Sequence, residues 1–169
     1  ATSGSVIISS LHALNGRLYV GMNLGALEYD FINDHTRIGY NPAYYLSSSG
    51  RIADRNATIT AYAGGDGYPI INATVNDVAA TVLEGAEIGA LGLPIPTVAV
   101  ATDGGVSVIH PSGDVYNLTN ANTQNDSRIV FFTDDGKLGL NYEQSGGVQN
   151  ATFCGLINIP FADTTTAIG

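Results

Sequence analysis

Thr97-Val98-Ala99-Val100-Ala101-Thr102-Asp103-Gly104-Gly105-Val106-Ser107-Val108-Ile109 is the stretch that decides the fold class. An apolar run enters a turn of Asp and Gly, and a second apolar run leaves it. Asp and Gly supply the positive φ angles that tight hairpins require, so the stretch reads as two antiparallel strands.

The same text recurs on both sides. Upstream, Leu18-Tyr19-Val20-Gly21 leads through Met22-Asn23-Leu24-Gly25-Ala26 into Leu27-Glu28-Tyr29-Asp30-Phe31. There Leu27, Tyr29 and Phe31 alternate with Glu28 and Asp30, a period of two that puts the apolar side chains on one face of a strand. Downstream, Ile129-Val130-Phe131-Phe132 runs through Thr133-Asp134-Asp135-Gly136-Lys137 into Leu138-Gly139-Leu140-Asn141-Tyr142. A weaker unit, Ile59 to Ile71, turns at Ala63-Gly64-Gly65-Asp66-Gly67. Its Pro69 lacks an N–H, which predicts an edge position for the strand that follows the turn. The first strands of the four units begin at Leu18, Ile59, Val98 and Ile129, with spacings of 41, 39 and 31 residues. Two of these match the roughly 40-residue period of a propeller blade. The expected fold is therefore one all-β domain over residues 1–169, built of hairpin repeats and propeller-like. The alternative is a β-sandwich or jelly roll, whose hairpins also recur with turn signals.

The segments between hairpins fit this reading. Val78-Ala79-Ala80-Thr81-Val82-Leu83-Glu84 is β-branched and is followed by Gly85, Gly89 and Gly92, which favours strand and loop over helix. Leu93-Pro94-Ile95-Pro96 is a stiff extended entry to the next strand. Val115-Tyr116-Asn117-Leu118 follows a turn at His110 to Asp114 and reads as an outer strand.

Composition narrows the function. The chain has 169 residues, 44% hydrophobic and 12% charged, with a net charge of -9. The charged fraction is about half the usual value of roughly 25%, which argues against disorder. Six scattered Lys and Arg give no basic footprint for nucleic acid. An anionic membrane surface would repel the chain, and no apolar run reaches the roughly 18 residues of a membrane span. The sequence begins Ala1-Thr2-Ser3-Gly4 and reads as a processed chain or a piece of a longer one. The single Cys154, between Phe153 and Gly155-Leu156-Ile157, is expected to be buried and inert.

No catalytic constellation stands out. His12, His35 and His110 share no metal-ligand spacing, and no nucleophile stands beside a base. Gly64 to Gly67 and Asp103 to Gly105 precede strands, whereas a phosphate loop needs a following helix. The expectation is no catalytic residue, no cofactor and no metal. Asp66, Asp103, Asp134 and Asp135 occupy equivalent turns of the four units, and a true repeat would set them on one rim. Such a rim suits Ca²⁺ or a sugar, although Asp also simply makes good turns. Nine Tyr against five Phe include the pair Tyr44-Tyr45, which aims one ring to each side of a strand. Five Asn-x-Ser/Thr sequons, at Asn56, Asn72, Asn117, Asn125 and Asn150, fit a surface glycoprotein.

The text of Thr97 to Ile109 with Asp114-Val115-Tyr116, and that of Leu18 to Asp30, is similar to propeller-like structural proteins of bacteriophage virions, whose members serve in tails, fibres or capsid decoration. The resemblance is clearest over Val78 to Leu118 and brings no functional residues with it. It implies a non-enzymatic structural or attachment component at a virion or the outside of a cell. The alternatives are a carbohydrate-binding or glycoside-hydrolysing propeller, a cell-surface filament glycoprotein and a plain interaction domain. Lys137 is the sole Lys, so strand edges lack their usual protection. That predicts a homo-oligomer meeting other virion or surface proteins and a possible glycan receptor. A terminal segment, 1–5 or 162–169, and the aromatic residues Tyr44, Tyr45 and Phe161 are the expected contacts.

Overall fold

A computed structural model describes residues 5–39, 47–49, 69–120, 125–143 and 152–166. Tyr44, Tyr45, Asp66 and most of the weak unit from Ile59 lie outside the described residues. Among the described residues the fold is all-β, with one three-residue 3-10 turn, Ala90–Gly92.

Three sheets follow one another along the chain. The first is an antiparallel meander of β1 (Ile8–Leu14), β2 (Arg17–Met22), β3 (Gly25–Asp30), β4 (His35–Gly39) and β5 (Ser47–Ser49). Its first turn is Asn15-Gly16 with φ of 49° and 73°, the two positive angles of a type I′ hairpin. The second sheet holds the meander β6 (Val75–Thr81), β7 (Thr97–Thr102), β8 (Gly105–Ile109) and β9 (Val115–Asn120). A late strand, β13 (Thr164–Thr166), is added parallel to β9. The third sheet is β10 (Val130–Phe132), β11 (Lys137–Glu143) and β12 (Thr152–Asn158), again antiparallel. Gly105 sits at φ 130°, and a Cβ there would run into the carbonyl of Leu118, so the β7–β8 turn requires glycine.

Every residue of β7 and β8 is buried, because the second sheet is covered on both faces. On one side Ala79, Ala99, Ala101, Val106 and Val108 pack against Val130, Leu138, Leu140 and Tyr142 of the third sheet. On the other, Val75, Val78, Val98 and Val100 pack with Tyr19, Leu14 and Ala26 of the first. Size is matched across each boundary. Small alanines of β7 meet the large side chains of β11, and the valines of β6 close over Gly21, whose hypothetical Cβ would meet Val75 and Val78. A fully buried valine contributes roughly 1.5–3 kcal/mol, so this middle sheet is the stability centre. The sheets pack as three successive layers, so a two-layer sandwich does not describe them, and among the described residues they close into neither a barrel nor a propeller.

The expected edge strand after Pro69 does not form. Residues 69–71 lie outside any strand, Ile70 is buried, and the Ile71 N–H donates to the Ser107 hydroxyl at 2.9 Å instead of joining a ladder. The tail is anchored on its own chain. The Pro160 carbonyl lies 2.8 Å from Nε2 of the buried His110, and the Asn117 N–H donates to Asp163 at 2.8 Å.

Candidate functional site

The three sheets meet along their first strands, β1, β6 and β10. Asn76 and Asp77 bring them together. A bulge between Val75 and Asp77 breaks the β6–β7 register and frees both polar side chains from strict alternation. Asp77 Oδ1 accepts from the Ser10 hydroxyl at 2.7 Å and from the Val78 N–H at 2.9 Å. Its Oδ2 accepts from the Val130 N–H at 3.1 Å. The Ser9 hydroxyl donates to the Val75 carbonyl at 2.7 Å. One carboxylate therefore touches all three sheets.

At the C-terminal end of β6 the junction opens into a groove of about 670 Å³. His12 of β1 stands on one wall, with Thr81 and Glu84 after β6 and Thr133, Asp134 and Asp135 of the β10–β11 turn around the rest. Residues of β6 and β10, Val78 to Thr81 and Val130 to Phe132, also line it. Asp135 is held below the ordinary carboxylate range by the Thr133 hydroxyl, at 2.6 Å, and by the Lys137 ammonium, at 3.2 Å. It is ionised and tied into its own turn, whereas Asp134 is exposed at the groove mouth. A groove lined by an imidazole, carboxylates and hydroxyls can receive a polar, hydroxyl-rich or cationic ligand. Among the described residues no group of three His, Cys, Asp or Glu is placed to hold a metal.

Asp103 lies elsewhere. Its N–H donates to the Thr74 carbonyl, just before β6, while the 133–136 turn adjoins the residues just after β6. A seven-residue strand separates the two turns by about 20 Å. The expected rim does not gather them. The β7–β8 turn joins the second and third strands of its sheet, and the β10–β11 turn joins the first and second, so strand reversal sends them to opposite ends.

At its own end Asp103 belongs to a cluster around Arg128, a group that motif spacing did not reveal. Arg128 Nη1 reaches Asn76 Oδ1 at 2.8 Å and Asp103 at 3.1 Å. Nε reaches Glu143 at 3.2 Å and Nη2 reaches Asp126 at 3.6 Å. Asn76 Nδ2 also donates to Asp103 at 2.9 Å and to the Ser127 carbonyl at 2.8 Å. The cluster clasps the second sheet to the third. The sequence sign of both devices was the polar pair Asn76-Asp77 at the head of an otherwise apolar strand.

Phe161 is 72% exposed and lies against His110, with ring centroids 4.7 Å apart. Cys154 is exposed, against expectation. Leu140, which faces the second sheet, pairs with Gly155, so the neighbouring pair Asn141–Cys154 lies on the open face. Three sequon asparagines are described, and each accepts a local hydrogen bond through its side-chain oxygen: Asn72 from Thr74, Asn117 from Ser107 and Asn125 from Asn120.

No protein-family model matches the chain, and no curated protein is similar to it. A solved structure, the extracellular domain of a one-component system from B. thetaiotaomicron, aligns at 13% identity with a TM-score of 0.36. The alignment covers 80% of this chain and 20% of that one. The chain thus spans about one fifth of the length of that structure. Among the described residues no helix is long and apolar enough to cross a membrane.

Proposed function

We propose that this chain is a non-enzymatic structural or attachment component of a virion or cell surface, working as a homo-oligomer in contact with other surface proteins. The observation that carries the reading is the apolar patch on the outer face of the third sheet. Phe131 and Leu156 are 48% and 58% exposed, and Ile129, just before β10, is 53% exposed beside them. Grouped apolar exposure of this kind marks contact surfaces. The meanders β1–β4 and β6–β9 have the strand order of propeller blades, and the reading treats the stack as a blade-like array continued by neighbours. Placement at a virion or outside a cell rests on the sparse charge, the near absence of Lys and the sequons. Light scattering of the full chain over rising concentration tests the reading. Stable oligomers are expected, and a monodisperse monomer at high concentration overturns it.

A second reading is glycan binding or hydrolysis in the groove, favoured by His12 and Asp134 around an open, partly apolar trough. A glycan array run beside a glycoside hydrolysis assay separates the two. Turnover abolished by Asp134→Asn would replace the structural reading with an enzymatic one.

A further inference from the structure

We propose that β12 is a self-pairing edge: two copies of this chain join antiparallel along Thr152–Asn158, giving one six-stranded sheet in the order β10-β11-β12-β12-β11-β10. The proposal rests on the assembled reading above and names the surface and the partner.

Of the other edges, β6 and β10 face each other, and the second sheet ends on its far side in β13, only three residues long. β9 is covered by β13, and β6 and β10 are tied to each other through Asp77 and Val130. β12 has one ladder partner among the described residues, β11, through all seven of its positions. Among the described residues its other side meets no strand and presents a row of backbone donors and acceptors, and the strand carries no charge, no Pro and no bulge.

A two-fold contact needs a surface complementary to itself. The strand Thr152-Phe153-Cys154-Gly155-Leu156-Ile157-Asn158 has that property when centred on Gly155. Thr152 then stands opposite Asn158, Phe153 opposite Ile157, and Cys154 opposite Leu156: polar on polar at the ends and apolar on apolar within. Gly155 on the axis lets the backbones approach. Charge agrees as well. Lys137 is in register with Asn158 and Glu143 with Thr152. Antiparallel pairing therefore sets Lys137 of one copy in the same row as Glu143 of the other, not like against like. In a chain of net charge -9, a neutral strand brings no like charges into direct contact.

The register makes a sharp chemical test. Directly opposed residues of an antiparallel pair have Cβ atoms about 4.5–5.5 Å apart, and diagonal neighbours about 7–8 Å. The two Cys154 residues are diagonal, beyond the roughly 4.4–6.8 Å Cα span of a disulfide. A Leu156→Cys variant places a thiol directly opposite Cys154 of the second copy. Leu156 is exposed, so the variant and its control Leu156→Lys leave the fold intact. Under mild oxidation L156C is expected to give a covalent dimer while the parent chain gives none, although a short bis-maleimide links the parent through Cys154. Leu156→Lys is expected to sediment at half the mass of the parent. A parent that self-associates, with L156K unchanged and L156C unlinked, overturns this edge and leaves the structural reading standing. Dimerisation through β12 in a chain that also hydrolyses glycosides supports the edge and overturns the structural reading. A parent that stays monomeric overturns both.

Discussion

The Asp77 carboxylate accepts the Ser10 hydroxyl proton at 2.7 Å across the boundary between the first and second sheets. Its other oxygen takes the Val130 N–H of the third sheet. Removing it takes the acceptor from the Ser10 hydroxyl and from the Val78 and Val130 N–H groups in a partly buried junction, and a stranded donor costs roughly 1–3 kcal/mol. Asp77→Ala is expected to cost about 2–4 kcal/mol. Asp77→Asn keeps one acceptor oxygen and loses the other, so about half that cost is expected. Urea unfolding checks both: the midpoint should fall with the slope unchanged.

Phe131 pairs directly across from Gly139, and its ring covers the position a Cβ of residue 139 would take. Gly139→Ala must swing aside the far end of the half-exposed ring, which costs about 0.5–1.5 kcal/mol. In a Phe131→Ala background the same substitution relieves the entropy cost of a strand glycine, roughly 0.5–1 kcal/mol, and should stabilise. A thermal double-mutant cycle reads the change of sign. Additive melting-temperature shifts would contradict the covering role of Phe131.

The hairpins of the fold were legible because their signals are local. Asp103-Gly104-Gly105 between two apolar runs specifies its own turn, and β-branched residues from Val78 onward specify β6. The junction was not legible, because its contacts join residues far apart in sequence: Ser10 with Asp77, Asp77 with Val130, and Asp103 with Arg128. The four turn acids looked equivalent because their sequences match. Position in the meander, not turn sequence, decides which end a turn reaches. Cys154 was misjudged for a related reason. Its apolar neighbours signal a core, but in a strand of period two the register of β12 on β11 decides which face each residue takes.

Arg17 bridges Glu28 at 3.0 Å and Asp30 at 2.9 Å, all three nearly buried between the first two sheets. Burial pushes the Asp30 carboxyl upward, but hydrogen bonds from the Asn33 side chain and backbone, then Arg17 and the Ile32 N–H, outweigh it and hold it below the ordinary range. A lowered folded value means the stabilisation is present above the unfolded value of about 3.9 and is lost as pH falls below it. Asp30→Asn is expected to cost about 1–3 kcal/mol at neutral pH. The gap to the parent should close as the pH falls below about 4. Urea midpoints of both chains from pH 7 down to pH 2.5 check it, and a gap independent of pH would contradict the ionised role of Asp30.

Among the described residues Arg128 is the one cation paired with Asp103, Asp126 and Glu143, and it is partly exposed. In exposed pairs the attraction itself is worth little, about 0–1 kcal/mol. The larger effect of removing Arg128 is to leave three carboxylates facing one another where the second and third sheets are clasped. That repulsion is screened with a Debye length of about 10 Å at 0.1 M salt and about 3 Å at 1 M. Arg128→Ala should therefore destabilise by up to about 1 kcal/mol at low ionic strength, and by clearly less in 1 M NaCl. Adding Glu143→Gln to the variant removes one of the repelling charges and should recover part of the loss at low salt. Melting temperatures of the parent, the single variant and the double variant at two salt concentrations decide it. An Arg128→Ala penalty that is the same in both salts would assign the residue a packing role through its aliphatic stem instead of the electrostatic clasp.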